Sequence, residues 1–116
     1  MPIDMENLNK KIEKYETFII DLLNASKRND PEVHVIIDKN TRHYQLLDSG
    51  WSDRNTYFCR ILMHFHIRED GIICLFENHT EHEVGDILMN HGVPKSDILV
   101  SFLPQSARQY AGYAAA

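Results

Sequence analysis

The chain of 116 residues has no long apolar run, no C-x-x-C pair and no excess of positive charge. No stretch approaches the roughly 18 apolar residues of a membrane span, and the first residues lack the apolar segment of a signal peptide. We therefore expect a cytoplasmic protein without membrane contact. We also expect one compact domain over residues 1–116, because domains of about 100 to 150 residues are the commonest. The net charge of −5 disfavours autonomous binding to DNA.

Motifs of nucleophilic catalysis and of nucleotide binding are also missing. There is no G-x-S-x-G elbow, and the five glycines form no phosphate-binding loop. Cys59 and Cys74 lie inside predicted strands, so we expect buried, protonated thiols and no disulfide. Glu77 and Glu81 near His79 form a possible acid–base cluster, which a solvated turn explains equally well. These features predict a protein that is not an enzyme and holds no cofactor.

Seven histidines are the only residues that suggest a metal site. His64 and His66 are two apart on a predicted strand and therefore share one face, while His79 and His82 flank the start of a predicted helix. Neither pair has further ligands at a recognised spacing, so we predict no metal. A metal-dependent hydrolase using His64, His66 or His79 is the least favoured alternative.

Hydrophobic periodicity predicts an α+β fold with the order α-β-β-β-β-α-β and a mainly antiparallel sheet. Apolar residues at three- and four-residue steps indicate a long amphipathic helix over 4–28, which Pro31 and its neighbours end. Four strands are expected at 33–38, 42–50, 57–68 and 72–77. Short connections favour an antiparallel meander, with the two helices covering its apolar face.

The third strand shows strict alternation, which predicts that its two faces differ. One set points one way: Tyr57, Cys59, Ile61, Met63, Phe65 and Ile67. The mixed set between them, which includes His64 and His66, suggests partial cover. Together with the long apolar stripe of the first helix, this half-covered strand predicts a homodimer.

Residues 80–104 predict a capped helix, a tight turn and a buried strand. Thr80 and Glu83 form a T-x-x-E capping box, so we expect a helix to begin there. Gly92 can adopt the left-handed conformation that closes a helix, and Pro94 prevents its continuation. The short apolar run over 98–102 is expected to be a buried strand.

Two further features suggest contact with a partner. Trp51 follows Gly50 at a strand end, where its large ring suits either the edge of the core or an anchor in a partner's pocket. Arg108, Tyr110 and Tyr113 lie in a C-terminal tail, 104–116, without periodicity, which is either disordered, ordered across the sheet or docked on a partner. The candidate partner-binding residues are Trp51, His64, His66, Arg108, Tyr110 and Tyr113.

Several short sequence motifs are distinctive. They are HYQLL at 43–47, GW at 50–51, His64, DG at 70–71, TE at 80–81 and GVPKSDI at 92–98, followed by Phe102, Pro104, Arg108 and Tyr110. In this order and at this spacing they resemble the XisI family, the fdxN-element excision controlling factors, which are found mainly in cyanobacteria. The resemblance extends from the first helix to the alanine-rich end.

The resemblance implies a non-catalytic accessory protein with an α+β fold of its own family type. A separate site-specific recombinase would perform strand exchange, and a nuclease-like XisH protein would be the direct partner. No catalytic residues of the family carry over to this chain. The resemblance thus implies control of DNA excision, with DNA contacted indirectly. The alternative is a regulator that binds DNA directly as a homo-oligomer.

Overall fold

A computed structural model describes residues 4–116 of the chain. Residues 1–3, which the predicted domain includes, lie outside the described range. The elements, in order, are α1 (Met5–Lys27), β1 (Val33–Asp38), β2 (His43–Trp51), β3 (Tyr57–Ile67), β4 (Ile73–Asn78), α2 (Val84–Asn90), a 3₁₀ turn (Lys95–Asp97), β5 (Ile98–Val100) and α3 (Gln105–Ala111). The predicted α+β fold and element order are confirmed, and α3 is an additional helix.

The described strands form one sheet in the order β1-β2-β3-β4-β5. The first three pairings are antiparallel, and β4 pairs with β5 in parallel. The parallel pair follows from the connection, because α2 carries the chain back to the starting end of β4 before β5 begins. The mainly antiparallel sheet is therefore confirmed, while the simple meander holds only as far as β4.

The core lies between α1, α2 and one face of the sheet, which we call the inner face. Asp4 caps α1, since its Oδ1 atom accepts hydrogen bonds from the backbone N–H groups of Glu6 and Asn7. The apolar stripe of α1 buries Tyr15, Ile19 and Leu23, and α2 adds Val84 and Leu88 to the core. The buried residues of the inner face are Val33, Tyr44, Leu46, Met63, Phe65, Ile67, Ile73, Leu75, Ile98 and Val100.

The strict alternation predicted for β3 is wrong, because a β-bulge at Leu62 interrupts it. Leu46 pairs with Met63, but the next residue, Leu47, pairs with Ile61. The extra residue reverses the facing of the strand, so Tyr57, Cys59 and Ile61 lie on the face opposite Met63. Cys59 is consequently exposed, which corrects the expectation of two buried thiols; Cys74 is buried as expected.

The capping box predicted at Thr80 is also wrong. The helix begins at Val84, and Glu83 at the N-cap makes no side-chain capping bond. Thr80 Oγ1 instead donates to Asn78 Oδ1 at 2.6 Å and accepts from the backbone N–H of His82 at 3.2 Å. These local bonds form a turn at the end of β4 that competes with helix formation.

Candidate interaction surfaces

The sheet face turned away from α1, which we call the outer face, carries most of the chemistry that the sequence singled out. Directly paired residues share a face, so the register assigns this set. Its members are His34, Ile36, Asp38, His43, Gln45, Leu47, Ser49, Trp51, Tyr57, Cys59, Ile61, His64, His66, Cys74, Glu77 and Leu99, with Phe76 in ring contact with the histidines. Helices α1 and α2 bury their apolar residues on the inner face.

Three rings on β2 and β3, His43, His64 and His66, form a histidine cluster on the outer face. His43 Nδ1 lies 2.9 Å from His64 Nε2, a hydrogen-bond distance that requires one of these nitrogens to be unprotonated. His43 also stacks on His66, with ring centroids 4.2 Å apart. Phe76 closes one side of the cluster with an edge contact to His64 at 5.0 Å. The β2–β3 register thus places His43 beside His64 and His66, the pair that the sequence predicted to share a face.

The third ring is fixed by the backbone. His66 Nδ1 donates to the carbonyl oxygen of Arg42 at 2.9 Å, which sets its tautomer. Burial lowers the pKa of His66, and nearby His43, Arg42 and Arg68 lower it further, against the opposing effect of the Arg42 hydrogen bond. Burial is also the main cause that lowers the pKa of His64, with His43 and His66 adding to it and Glu77 opposing it. His64 and His66 therefore favour neutral imidazoles at neutral pH.

The histidine cluster and the neighbouring carboxylates do not form a metal site among the described residues. Within residues 4–116, no group of three or more His, Cys, Asp or Glu side chains is arranged to hold a metal ion. His79 lies 3.7 Å from Glu77 at an exposed position. The pKa of the Cys74 thiol is raised by burial, which keeps it protonated. The arrangement of the outer face suits recognition by packing and hydrogen bonding.

Trp51 lies at the far end of the β2–β3 hairpin and is 67% exposed. It makes an edge contact with Tyr57, with ring centroids 5.4 Å apart. The sequence left two interpretations of Trp51 open, an edge of the core or an anchor for a partner. A ring with this exposure is not at the edge of the core. The hairpin presents two large aromatic rings on the same face as the histidine cluster.

The predicted C-terminal candidates lie elsewhere, at the β5 edge of the sheet. The tail is ordered: Gln105–Ala111 forms α3, Lys95 Nζ donates to the carbonyl oxygen of Ala111, and the Ala114 N–H donates to that of Ile98. Tyr113 packs against Gly85 and the core. Burial, with Asp86 and Glu83 nearby, raises the pKa of Tyr113.

Tyr110 projects from α3 and is 96% exposed, while Arg108 on the same helix is half-buried. The six predicted residues therefore fall into two groups. Trp51, His64 and His66 share the outer face, and the three C-terminal residues share the β5 edge. Sequence reasoning missed Ile36, His43 and Phe76, whose membership depends on strand register and ring contacts.

A shallow groove adjoins the outer face beside β4. Phe76, Glu77, Asn78, His79 and Phe102 line it, and its volume is about 340 Å³. A second concavity, of about 480 Å³, is lined by Arg42, His66, Arg68, Glu69 and Asp70. Arg68 in it forms an ion pair with Asp70, so its positive charge is locally balanced. Among residues 4–116, none of the helices combines the length and apolar character that a membrane span needs.

Comparisons with known proteins agree with the fold. The family model described as XisI protein matches residues 5–115. The crystal structure of a XisI-like protein from Anabaena variabilis is 31% identical, with a TM-score of 0.74 over 94% of this chain and 99% of that chain. The crystal structure of the fdxN element excision controlling factor XisI from the same organism is 25% identical, with a TM-score of 0.77 over 91% of this chain and 99% of that chain. A search among curated proteins finds no match.

Proposed function

Because the chain belongs to the XisI family, we propose that it is an accessory factor that controls the programmed excision of a DNA element. The observation that carries this proposal is the family match over 5–115. A second observation supports it: a solved relative with the same fold is named as an fdxN element excision controlling factor. The fold alone would not suffice, because one fold supports many functions.

We propose further that this control is exerted without catalysis, through a XisH-type partner in the cytoplasm. A separate recombinase exchanges the strands, and DNA is contacted indirectly. The chemistry of the site supports this view. One nitrogen of each ring in the histidine cluster is engaged, in the His43–His64 pair and in the bond from His66 to the Arg42 carbonyl. The Cys74 thiol is held in its protonated form.

Helix α3 is the surface that we assign to the heterologous partner. It presents the exposed Tyr110. The residues that flank this helix, Leu103 before it and Tyr113 after it, pack against the core and hold it in place. A large aromatic ring on an ordered element loses little conformational entropy on binding, and such residues dominate the binding energy of interfaces. No acidic residue occurs from Gln105 to Ala111, although the chain as a whole is acidic.

Co-expression with the neighbouring gene product, followed by size-exclusion chromatography, tests this proposal. The wild-type chain should co-elute with a XisH-type protein. Tyr110→Ala should weaken the complex by about 2 kcal/mol or more, the size typical of a binding hot spot. The exposed neighbour Gln109 on the same helix provides the matched control, and Gln109→Ala should leave co-elution unchanged.

The outcome separates the two parts of the proposal. Absence of co-elution for the wild-type chain would contradict a XisH-type partner. Co-elution that survives Tyr110→Ala would retain the partner and contradict the assignment of α3. Circular dichroism of both variants verifies that the fold is intact, since each replaced side chain is exposed.

A further inference from the structure

We propose that the outer face of the sheet is an isologous interface for a second copy of this chain. The proposal goes beyond the docking of a XisH-type partner, which we assign to α3. Three properties of the outer face carry it: its apolar content, the distribution of charge on it, and its area.

Apolar side chains recur on all four antiparallel strands of the outer face, interspersed with uncharged polar ones such as Gln45 and Ser49. Ile36 on β1 and Phe76 on β4 are both exposed, and Leu47 and Ile61 form a directly paired, half-buried couple between them. Farther along the hairpin, beyond Ser49 and Cys59, Trp51 and Tyr57 contact each other. Exposed apolar surface of this extent typically marks an association site.

The charge of the outer face fits self-association better than any charged partner. An isologous interface brings only the residues near its two-fold axis close to their own copies, so a charge at the centre would meet a like charge. The face places its ionised residues, Asp38 and Glu77, on its first and fourth strands, whereas β2 and β3 contribute His43, His64 and His66 with uncharged residues. A chain of net charge −5 thus has a nearly neutral central surface.

The area of the outer face reaches the lower limit for a specific interface. Strand residues are about 3.3 Å apart and strands about 4.8 Å apart, so each residue covers about 16 Å² of sheet. Strands β1 to β4 have six, nine, eleven and six residues, which gives roughly 500 Å² per copy in projection. Two copies contribute about 1,000 Å², the threshold for a specific interface, and side-chain relief adds to it. Two such sheets pack face to face at about 10 Å.

Adjacent residues of β1 offer a matched pair of variants. Ile36 is 44% exposed on the outer face, and Ile37 is 38% exposed on the inner side of the same edge strand. Light scattering across a concentration series at neutral pH should show a dimer for the wild-type chain. Ile36→Glu should raise the dissociation constant at least about 10-fold, because each copy would bury an unpaired carboxylate. Ile37→Glu should leave it unchanged.

Acidification provides a measurement that needs no variant. The groups that face the cluster are Glu77, Asp38, Arg42 and Arg68, together with the thiol of Cys74. Glu69 and Asp70, the latter paired with Arg68, line the same concavity as His66. The pKa values of His64 and His66 lie below the ordinary histidine value of about 6.5, so falling pH protonates these two rings on both copies only below that value, while Glu77 and Asp38 compensate only from the margins. The dimer should therefore dissociate as the pH falls from about 7.5 to about 5, and re-form when it is raised.

Three results would overturn the proposal. One is a wild-type monomer at every concentration at neutral pH. Another is a dimer that Ile37→Glu disrupts and Ile36→Glu does not, with Trp51→Lys as a second outer-face variant should Ile36→Glu fail to fold. The third is a monomer that pairs through Ile36 only with the XisH-type protein, which would assign the outer face to that partner. Co-elution through Tyr110 is scored separately, so failure of the dimer leaves the proposed function intact.

Discussion

Gly85 of α2 and Tyr113 of the C-terminal tail pack closely against each other. A Cβ atom at position 85 would overlap the Tyr113 hydroxyl and lie 3.1 Å from Cζ of the same ring. The ring cannot move away freely, because Lys95 Nζ lies 5.1 Å above it and the Tyr113 N–H donates to the Arg108 carbonyl. The residue at 85 must therefore lack a side chain for the tail to pack.

Gly85→Ala should consequently destabilise the protein, although alanine is ordinarily favoured over glycine in a helix by up to about 1 kcal/mol. We expect the free energy of unfolding to fall by about 1–3 kcal/mol, the usual cost of overpacking. Urea denaturation measures it.

Tyr113→Phe provides the control, because it removes the hydroxyl that the new methyl group would meet. The double variant should be less destabilised than the sum of the two single variants, as expected for residues in contact. A Gly85→Ala protein that is more stable than the wild type would show that the tail is not packed as described.

At the scale of single residues, the sequence revealed the identity of the important side chains better than their neighbours. His64 and His66 share a face because a strand has a period of two, and this was predictable. His43 is 21 positions from His64, and only the β2–β3 register places their nitrogens in contact. Cys59 was misplaced because the bulge at Leu62 leaves no mark in a strand whose residues alternate plausibly through it.

Helix α2 is the element whose two ends contrast most clearly. Its C-terminal end was predicted correctly: Gly92 has a φ of 94°, its N–H bonds to the Met89 carbonyl, and the Val93 N–H bonds to that of Leu88. This is a Schellman motif, which depends on one residue with a special conformation. The N-terminal end was mispredicted because Thr80 has a competing local partner in Asn78.

Gly92→Ala tests the closure of α2 without a steric complication, since a Cβ atom there would meet nothing within 4 Å. We expect the free energy of unfolding to fall by about 1 kcal/mol, the cost of a left-handed conformation for a residue with a side chain. Gly92→Asn should cost less, because asparagine tolerates this conformation. Equal stability of all three proteins in thermal denaturation would contradict the assigned motif.

Helix α3 shows why short elements escape sequence reasoning. It has seven residues, no side-chain capping bond and no buried residue of its own. Its stability comes from tertiary contacts around it, such as Tyr113 and Leu103 on the core. Helices of this length are marginal in isolation, so local sequence cannot predict them.

At the scale of the whole molecule, the distribution of charge limits what the protein can bind alone. The lysines of α1 are the one basic cluster in the sequence, and their charges are largely engaged. Lys10 pairs with Glu6 at 3.7 Å, and Lys11 pairs with Asp97 at 2.8 Å, which also accepts a hydrogen bond from Tyr15. Lys14 lies over the ring of Phe18. A dimer would carry twice the net charge of −5.

We therefore expect the isolated chain not to bind duplex DNA at physiological ionic strength, whether as monomer or dimer. Fluorescence anisotropy across a salt series measures this, because phosphate contacts produce an affinity that falls steeply with salt, with a slope of about −0.9 per contact. When a XisH-type partner is added, any affinity for DNA, and its dependence on salt, should come from contacts that the partner makes. They should therefore persist in a variant with Lys10→Gln and Lys14→Gln, which removes two cations of α1. A salt-dependent affinity of the isolated chain that this variant reduces would contradict indirect contact and favour direct DNA binding through α1.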